Sequence, residues 1–196
     1  MLRDADLREA LQPLPTASWE GTVFRWVKGV TADEVQENLC NLTKDGRYSR
    51  GEDLRVLYTS HGWEVAGREF RQSPATPTPA DLRGATCLGL RVRAERVLDL
   101  TDAGVRERLG TSLQELTGDW QLLNEQGEDA PTQRLGRAAF ESGRFDAVRA
   151  PSKLRPGEAN LLVFVDRIGQ RAVATDLPPG FPERLVDDHR HEAGYA

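Results

Sequence analysis

Leu54-Arg55-Val56-Leu57-Tyr58-Thr59-Ser60, then His61-Gly62, then Trp63-Glu64-Val65-Ala66-Gly67-Arg68-Glu69-Phe70, is the stretch on which the fold turns, because its hydrophobic period changes at Gly62. Before the glycine, β-branched and aromatic residues alternate as in a strand, with Tyr58 near its end. After it, Val65, Ala66, Glu69 and Phe70 fall at spacings of three and four, so they share one face of a helix. Glu69 therefore points with apolar side chains instead of away from them. By itself, a glutamate in that place reads as a structural residue.

Working outward, Asp45-Gly46-Arg47-Tyr48-Ser49-Arg50-Gly51 is rich in turn formers. Gly21-Thr22-Val23-Phe24-Arg25-Trp26 has strand content, and Thr31 with Glu34 resembles a capping box that opens a short helix. Leu7, Ala10 and Leu11 form one stripe of an amphipathic helix over residues 2–11, which Pro13 and Pro15 end. Toward the C-terminus, the proline-punctuated 73–80 reads as a surface crossing. Strands are expected at 86–92 and 96–100. A helix over 103–109 follows, capped by Asp102, and another runs over 132–141. Residues 145–152 read as a short strand running into a loop, 159–165 as an apolar central strand, and 170–174 as a last strand. Beyond Asp176 the prolines and charges predict a loosely held tail over 177–196. Strands dispersed among short helices, with no GxGxxG opening a helix, predict an α+β domain and argue against a Rossmann sheet.

The 196 residues suit a single domain, and 38% hydrophobic with 29% charged residues places the chain among globular proteins. Net charge is −5 with the arginines scattered among acids, which argues against direct nucleic-acid binding. Cys40 and Cys87 lie far apart with no CxxC pair, and read as reduced apolar fillers. No segment approaches the roughly 20 apolar residues that span a bilayer, so a cytoplasmic protein without membrane contact is expected. His189 and His191 stand among acids in the expected tail, where such a run is usually solvated charge. No metal site is expected.

Taken together, five pieces in order resemble the RES-domain family, the toxin half of bacterial RES–Xre toxin–antitoxin pairs. Arg25 follows Val23-Phe24 of a first strand, and Gly46-Arg47-Tyr48 resembles the family's glycine-arginine-aromatic turn. Leu57-Tyr58 matches its strand end, with Glu69 at the helical position after it. Ala147-Val148-Arg149-Ala150-Pro151-Ser152, with Pro156-Gly157 and the strand from Asn160, resembles its serine block. The resemblance spans about residues 20–166. The turn departs from the usual double-glycine, Arg-Trp-Asn type, and Trp26 stands where a tyrosine is frequent.

The resemblance implies an ADP-ribosyltransferase-like fold with a mixed, mainly antiparallel sheet and short surrounding helices. It implies an enzyme that depletes NAD⁺, its substrate, by breaking the nicotinamide–ribose bond through hydrolysis or phosphorolysis, with no metal. Glu69, Arg25 and Ser152 are then the catalytic candidates. Arg47, Tyr58, Tyr48 and Trp26 are the substrate-binding ones. Guanidinium groups suit a pyrophosphate and a tyrosine face suits nicotinamide. Expected partners are NAD⁺, phosphate as co-substrate and an Xre-type antitoxin, with a homo-oligomer inside the toxin–antitoxin complex. Two alternatives share the pocket: a mono-ADP-ribosyltransferase acting on protein, and an inactive NAD⁺-binding relative.

Overall fold

In the computed structural model, residues 1–29, 31, 33–35, 45–50, 54–72, 84–168 and 173–175 are described. The strands are β1 (Ala17–Lys28), β2 (Val56–Ser60), β3 (Ala85–Asp99), β4 (Ala147–Pro151), β5 (Ala159–Phe164) and β6 (Val173–Thr175). Their order is β1-β2-β5-β4-β3-β6, and β1 also pairs with β3. The extra pairing closes β1-β2-β5-β4-β3 into a five-stranded barrel, with β6 lying along β3 as an antiparallel flank. Among the described strand pairs only β3–β4 is parallel. The expected mixed, mainly antiparallel α+β architecture is present, and closure of the sheet is the feature that strand patterns did not announce.

Strand alternation explains the closure. Val23 and Val27, Leu57, Leu88 and Leu90, Val97, Ala147, and Leu161 with Val163 are buried in one cluster to which all five strands contribute. That cluster is the barrel interior. The opposite parity, with Val56, Leu98, Val148, Leu162 and Phe164, packs outward against helices. Full burial of one such side chain stabilises by about 1.5–3 kcal/mol.

The helices are α1 (Asp4–Leu11), α2 (Trp63–Gln72), α3 (Ala103–Arg108), α4 (Leu113–Thr117), α5 (Trp120–Glu125), α6 (Pro131–Glu141) and α7 (Val165–Ile168). Helix α1 buries Leu7 and Leu11, as its stripe requires. The caps read from sequence form. Asp102 accepts from the Val105 amide, and Thr31 and Glu34 each bond the other's backbone amide.

Two expectations change. The strands foreseen at 86–92 and 96–100 are one 15-residue strand, because Arg93, Ala94 and Glu95 alternate exposed, buried, exposed and continue the sheet instead of turning. Helices α4 and α5 were not foreseen. They are too short for a hydrophobic period and are marked only by their caps, Ser112 and Asp119. The last strand occupies 173–175. The 73–80 crossing, Cys40, the tail 177–196 and its two histidines lie outside the described residues. Among the described residues no helix is long and apolar enough to cross a membrane.

Candidate functional site

Strands β1 and β2 pair at a single register position, Phe24 with Ser60. Past it, the Arg25 side chain takes over the role of the ladder, with Nη1 donating to the Tyr58 carbonyl at 3.0 Å. A cavity of about 510 Å³ lies over this loosely paired seam. It is of the size that small-molecule sites occupy, about 300–1,000 Å³. Helix α2, the ends of β4 and β5, the 45–48 turn and the start of α5 all line it.

Glu69 reaches the cavity from the helical face read in the sequence, next to buried Val65 and Ala66. Its Oε1 accepts from Ser152 Oγ at 3.3 Å and from Asn160 Nδ2 at 3.1 Å. Oε2 accepts no hydrogen bond among the described residues. One carboxylate oxygen is thus pinned and the other is left for a ligand. Ser152 is buried behind the wall instead of lining it, where its oxygen also accepts from the Leu154 amide. Arg25 and Ser152 do not hydrogen-bond to one another; Arg25 is taken by Tyr58.

Arg25 is partly buried, and its Nε is shut off from solvent with no partner among the described residues. Burial pushes the guanidinium down to about 10, partly opposed by the Tyr58 phenol, so the group keeps its charge at neutral pH. Tyr58 lines the cavity, but its hydroxyl is occupied by the Tyr48 amide at 2.8 Å and Ser49 Oγ at 2.9 Å. Burial pushes that phenol up to about 12, against those two hydrogen bonds.

The expected turn forms, with Gly46 and Ser49 bridged backbone to backbone. A Cβ on Gly46 would stand 2.6 Å from the Tyr58 hydroxyl, so glycine is required where the turn meets β2. Tyr48 is buried against the 135–139 stretch of α6, and burial raises its phenol. Arg47 lines the cavity while Nη1 donates to the Leu116 carbonyl at 3.3 Å and, more closely, to that of Gly118. Trp26 lines the cavity too, with Nε1 donating to the Trp63 carbonyl at 3.3 Å and its ring 6.3 Å from Phe70.

The structure therefore brings all seven sequence candidates to one place, six of them lining the cavity and Ser152 buried behind its wall. Sequence reasoning missed three residues. Asn160 pins Glu69, and its signal was a polar residue leading an otherwise apolar strand. Lys153 lines the cavity as an exposed cation with no partner among the described residues. Trp120 comes from a helix that the sequence did not reveal.

An α+β protein with a closed barrel and a cavity on its outer face, holding a half-pinned carboxylate, is the class this geometry defines. The chain belongs to the RES domain family, which matches residues 22–182. Among curated proteins none matches it. Seven chains of known structure match. One is from the M. tuberculosis MbcT–MbcA toxin–antitoxin complex, at TM-score 0.70 and 18% identity over 95% of this chain and 97% of that one. That likeness shows a shared fold.

Proposed function

We propose that this protein is the toxin of a bacterial toxin–antitoxin pair and destroys NAD⁺ at Glu69. The observation that carries the reading is the Glu69 carboxylate, one oxygen held by Ser152 and Asn160 and the other open to the cavity, in a chain of the RES domain family. Fold likeness to a chain of a toxin–antitoxin complex supports the biological role. On this reading the barrel is an ADP-ribosyltransferase-like core, and an Xre-type antitoxin covers the cavity entrance in a complex that contains more than one toxin copy.

The chemistry suits the residues. The nicotinamide nitrogen of NAD⁺ is already cationic, so the ring leaves as a neutral molecule with little help from a general acid. The C1′–N bond breaks with its electron pair going to the ring nitrogen, and positive charge builds on the ribose. A fixed carboxylate stabilises that charge or holds the ribose hydroxyls. Water or phosphate then attacks C1′ and gives up a proton, leaving ADP-ribose or its 1″-phosphate. Arg25 and Lys153 supply positive charge for the pyrophosphate, and Tyr58 and Trp26 offer aromatic faces to the nicotinamide.

Chromatography of NAD⁺ products tests this directly. The wild-type protein is expected to release nicotinamide, with phosphate deciding between the two products, and Glu69→Gln to release none. NAD⁺ surviving intact with the wild type sinks the proposal. Label passing from NAD⁺ to a macromolecule would move it to protein ADP-ribosylation.

A further inference from the structure

Trp120 opens α5 and lines the cavity together with Gln121. It is half-buried, and neither its ring nor its indole N–H has a partner among the described residues. A large aromatic face turned to a cavity without a ring to pack on is open to a flat ligand. What holds it there is unusual, because α5 buries no residue of its own and cannot be located by a core. Its N-terminal end follows Gly118, whose carbonyl takes the Arg47 guanidinium, as does that of the fully buried Leu116. Its C-terminal end is fixed by Gln133, which is hydrogen-bonded in both directions to the Asn124 amide, at 2.8 and 2.9 Å. The same Gln133 donates to the carbonyls of Gly46 and Ser49. The 46–49 turn and α5 thus form one unit, clamped by Arg47 and Gln133.

Trp120 and Glu69 line the cavity from different elements, α5 and α2, and a chain of contacts leads from one to the other. Asn160, which holds Glu69, is paired with Ser60; Tyr58 lies two residues along β2, about 6.6 Å away. The length of the Tyr58 side chain then leads to Tyr48 and Ser49, and only beyond Arg47 come Gly118 and Trp120. With the nicotinamide ribose at Glu69 and its ring on Tyr58 or Trp26, Trp120 is an unpacked aromatic face left in the same cavity for the other end of a dinucleotide. We infer that Trp120 stacks on the adenine of the substrate, and that Arg47 is the positioning residue that holds Trp120 in place instead of a pyrophosphate ligand. This rests on the NAD⁺ reading of the cavity.

Steady-state kinetics with NAD⁺ and with nicotinamide mononucleotide, which lacks the adenylate, tests the inference. Trp120→Ala is expected to raise KM for NAD⁺ about tenfold, the order typical of lost base stacking, with kcat within about threefold. Nicotinamide mononucleotide kinetics should not move, and Trp120→Phe should restore most of the loss. Arg47→Lys keeps the charge but loses the paired carbonyl contacts, and should reproduce the Trp120→Ala pattern. The double variant should be no worse than either single one. Equal loss for both substrates, or no loss for NAD⁺, overturns the role of Trp120. Additive losses, or a loss at Arg47 that extends to the mononucleotide, overturn the role of Arg47. Should the wild type turn over neither substrate, the NAD⁺ reading fails, and calorimetry with AMP still decides. An affinity about tenfold weaker in Trp120→Ala upholds the stacking face, and an unchanged one overturns it.

Discussion

Asn160 illustrates how much a single amide does at this site. Its Nδ2 holds Glu69 Oε1 at 3.1 Å, while its own Oδ1 is buried without a partner among the described residues. An orphaned buried acceptor costs about 1–3 kcal/mol, and the orientation of Glu69 offsets that cost in function only. Hydrogen bonds to charged groups are worth about 1.5–3 kcal/mol, so Asn160→Leu should lower kcat for nicotinamide release about ten- to hundredfold. Because the substitution also removes the orphan, melting should show a protein as stable as the wild type or more so. Unchanged kcat in a folded variant counts against any role of Asn160 in holding the carboxylate. Cys87 is the contrasting residue. Buried on β3, its thiol is pushed up to about 12 by that burial, which makes it the inert filler its lone position in the chain suggested.

Among the elements, α6 meets the 46–49 turn with no space to spare. A Cβ on Gly136 would collide with the Tyr48 carbonyl, and backbone, unlike a flexible side chain, cannot swing away. Gly136→Ala should therefore destabilise by about 1–3 kcal/mol, several degrees in Tm for a chain of this length. It should also weaken NAD⁺ turnover by displacing Tyr48 and, with it, the backbone amide that donates to the Tyr58 hydroxyl. Thermal melting and nicotinamide release measured together check this; a variant as stable and active as the wild type would show that the turn can move. The helix itself was legible from its period and from Gly143, which ends it at φ 67°. The close approach at Gly136 was not, because a glycine inside a helical pattern looks the same in sequence whether or not another segment lies against it.

For the whole molecule, closure of the barrel leaves His61 at one end, its ring 5.3 Å from Trp19 and Nε2 buried without a partner among the described residues. Burial lowers its pKa and Arg149 adds to that, while Glu158 and Asp99 oppose it. The folded protein therefore holds His61 neutral at pH values where the unfolded chain, with a pKa of about 6.5, takes up a proton. Unfolding binds more protons than the native state in that window, so stability falls as pH drops below about 6.5 and levels off below the folded pKa. Tm measured from pH 7.5 to 5 should decline, and His61→Phe should decline less steeply. An identical slope in both proteins would assign the acid sensitivity to other groups.

The local pieces could be read from the chain alone: the strand with Tyr58, the helix with Glu69 on its apolar face, the turn at Arg47, and the caps at Asp102 and Thr31. Each depends on period, turn chemistry or capping within a few residues, and the order of five such pieces carried the family. Tertiary structure alone decided that the sheet closes, that β3 continues past Val92, and that Arg25 stands in for ladder bonds at the β1–β2 seam. It also decided that Arg47 grips carbonyls at the end of α4, 69 and 71 residues away in the chain. A guanidinium carries no mark in sequence of whether it will meet a phosphate or a peptide carbonyl, since both accept the same donors. Which one it meets is set by contacts between segments far apart in the chain.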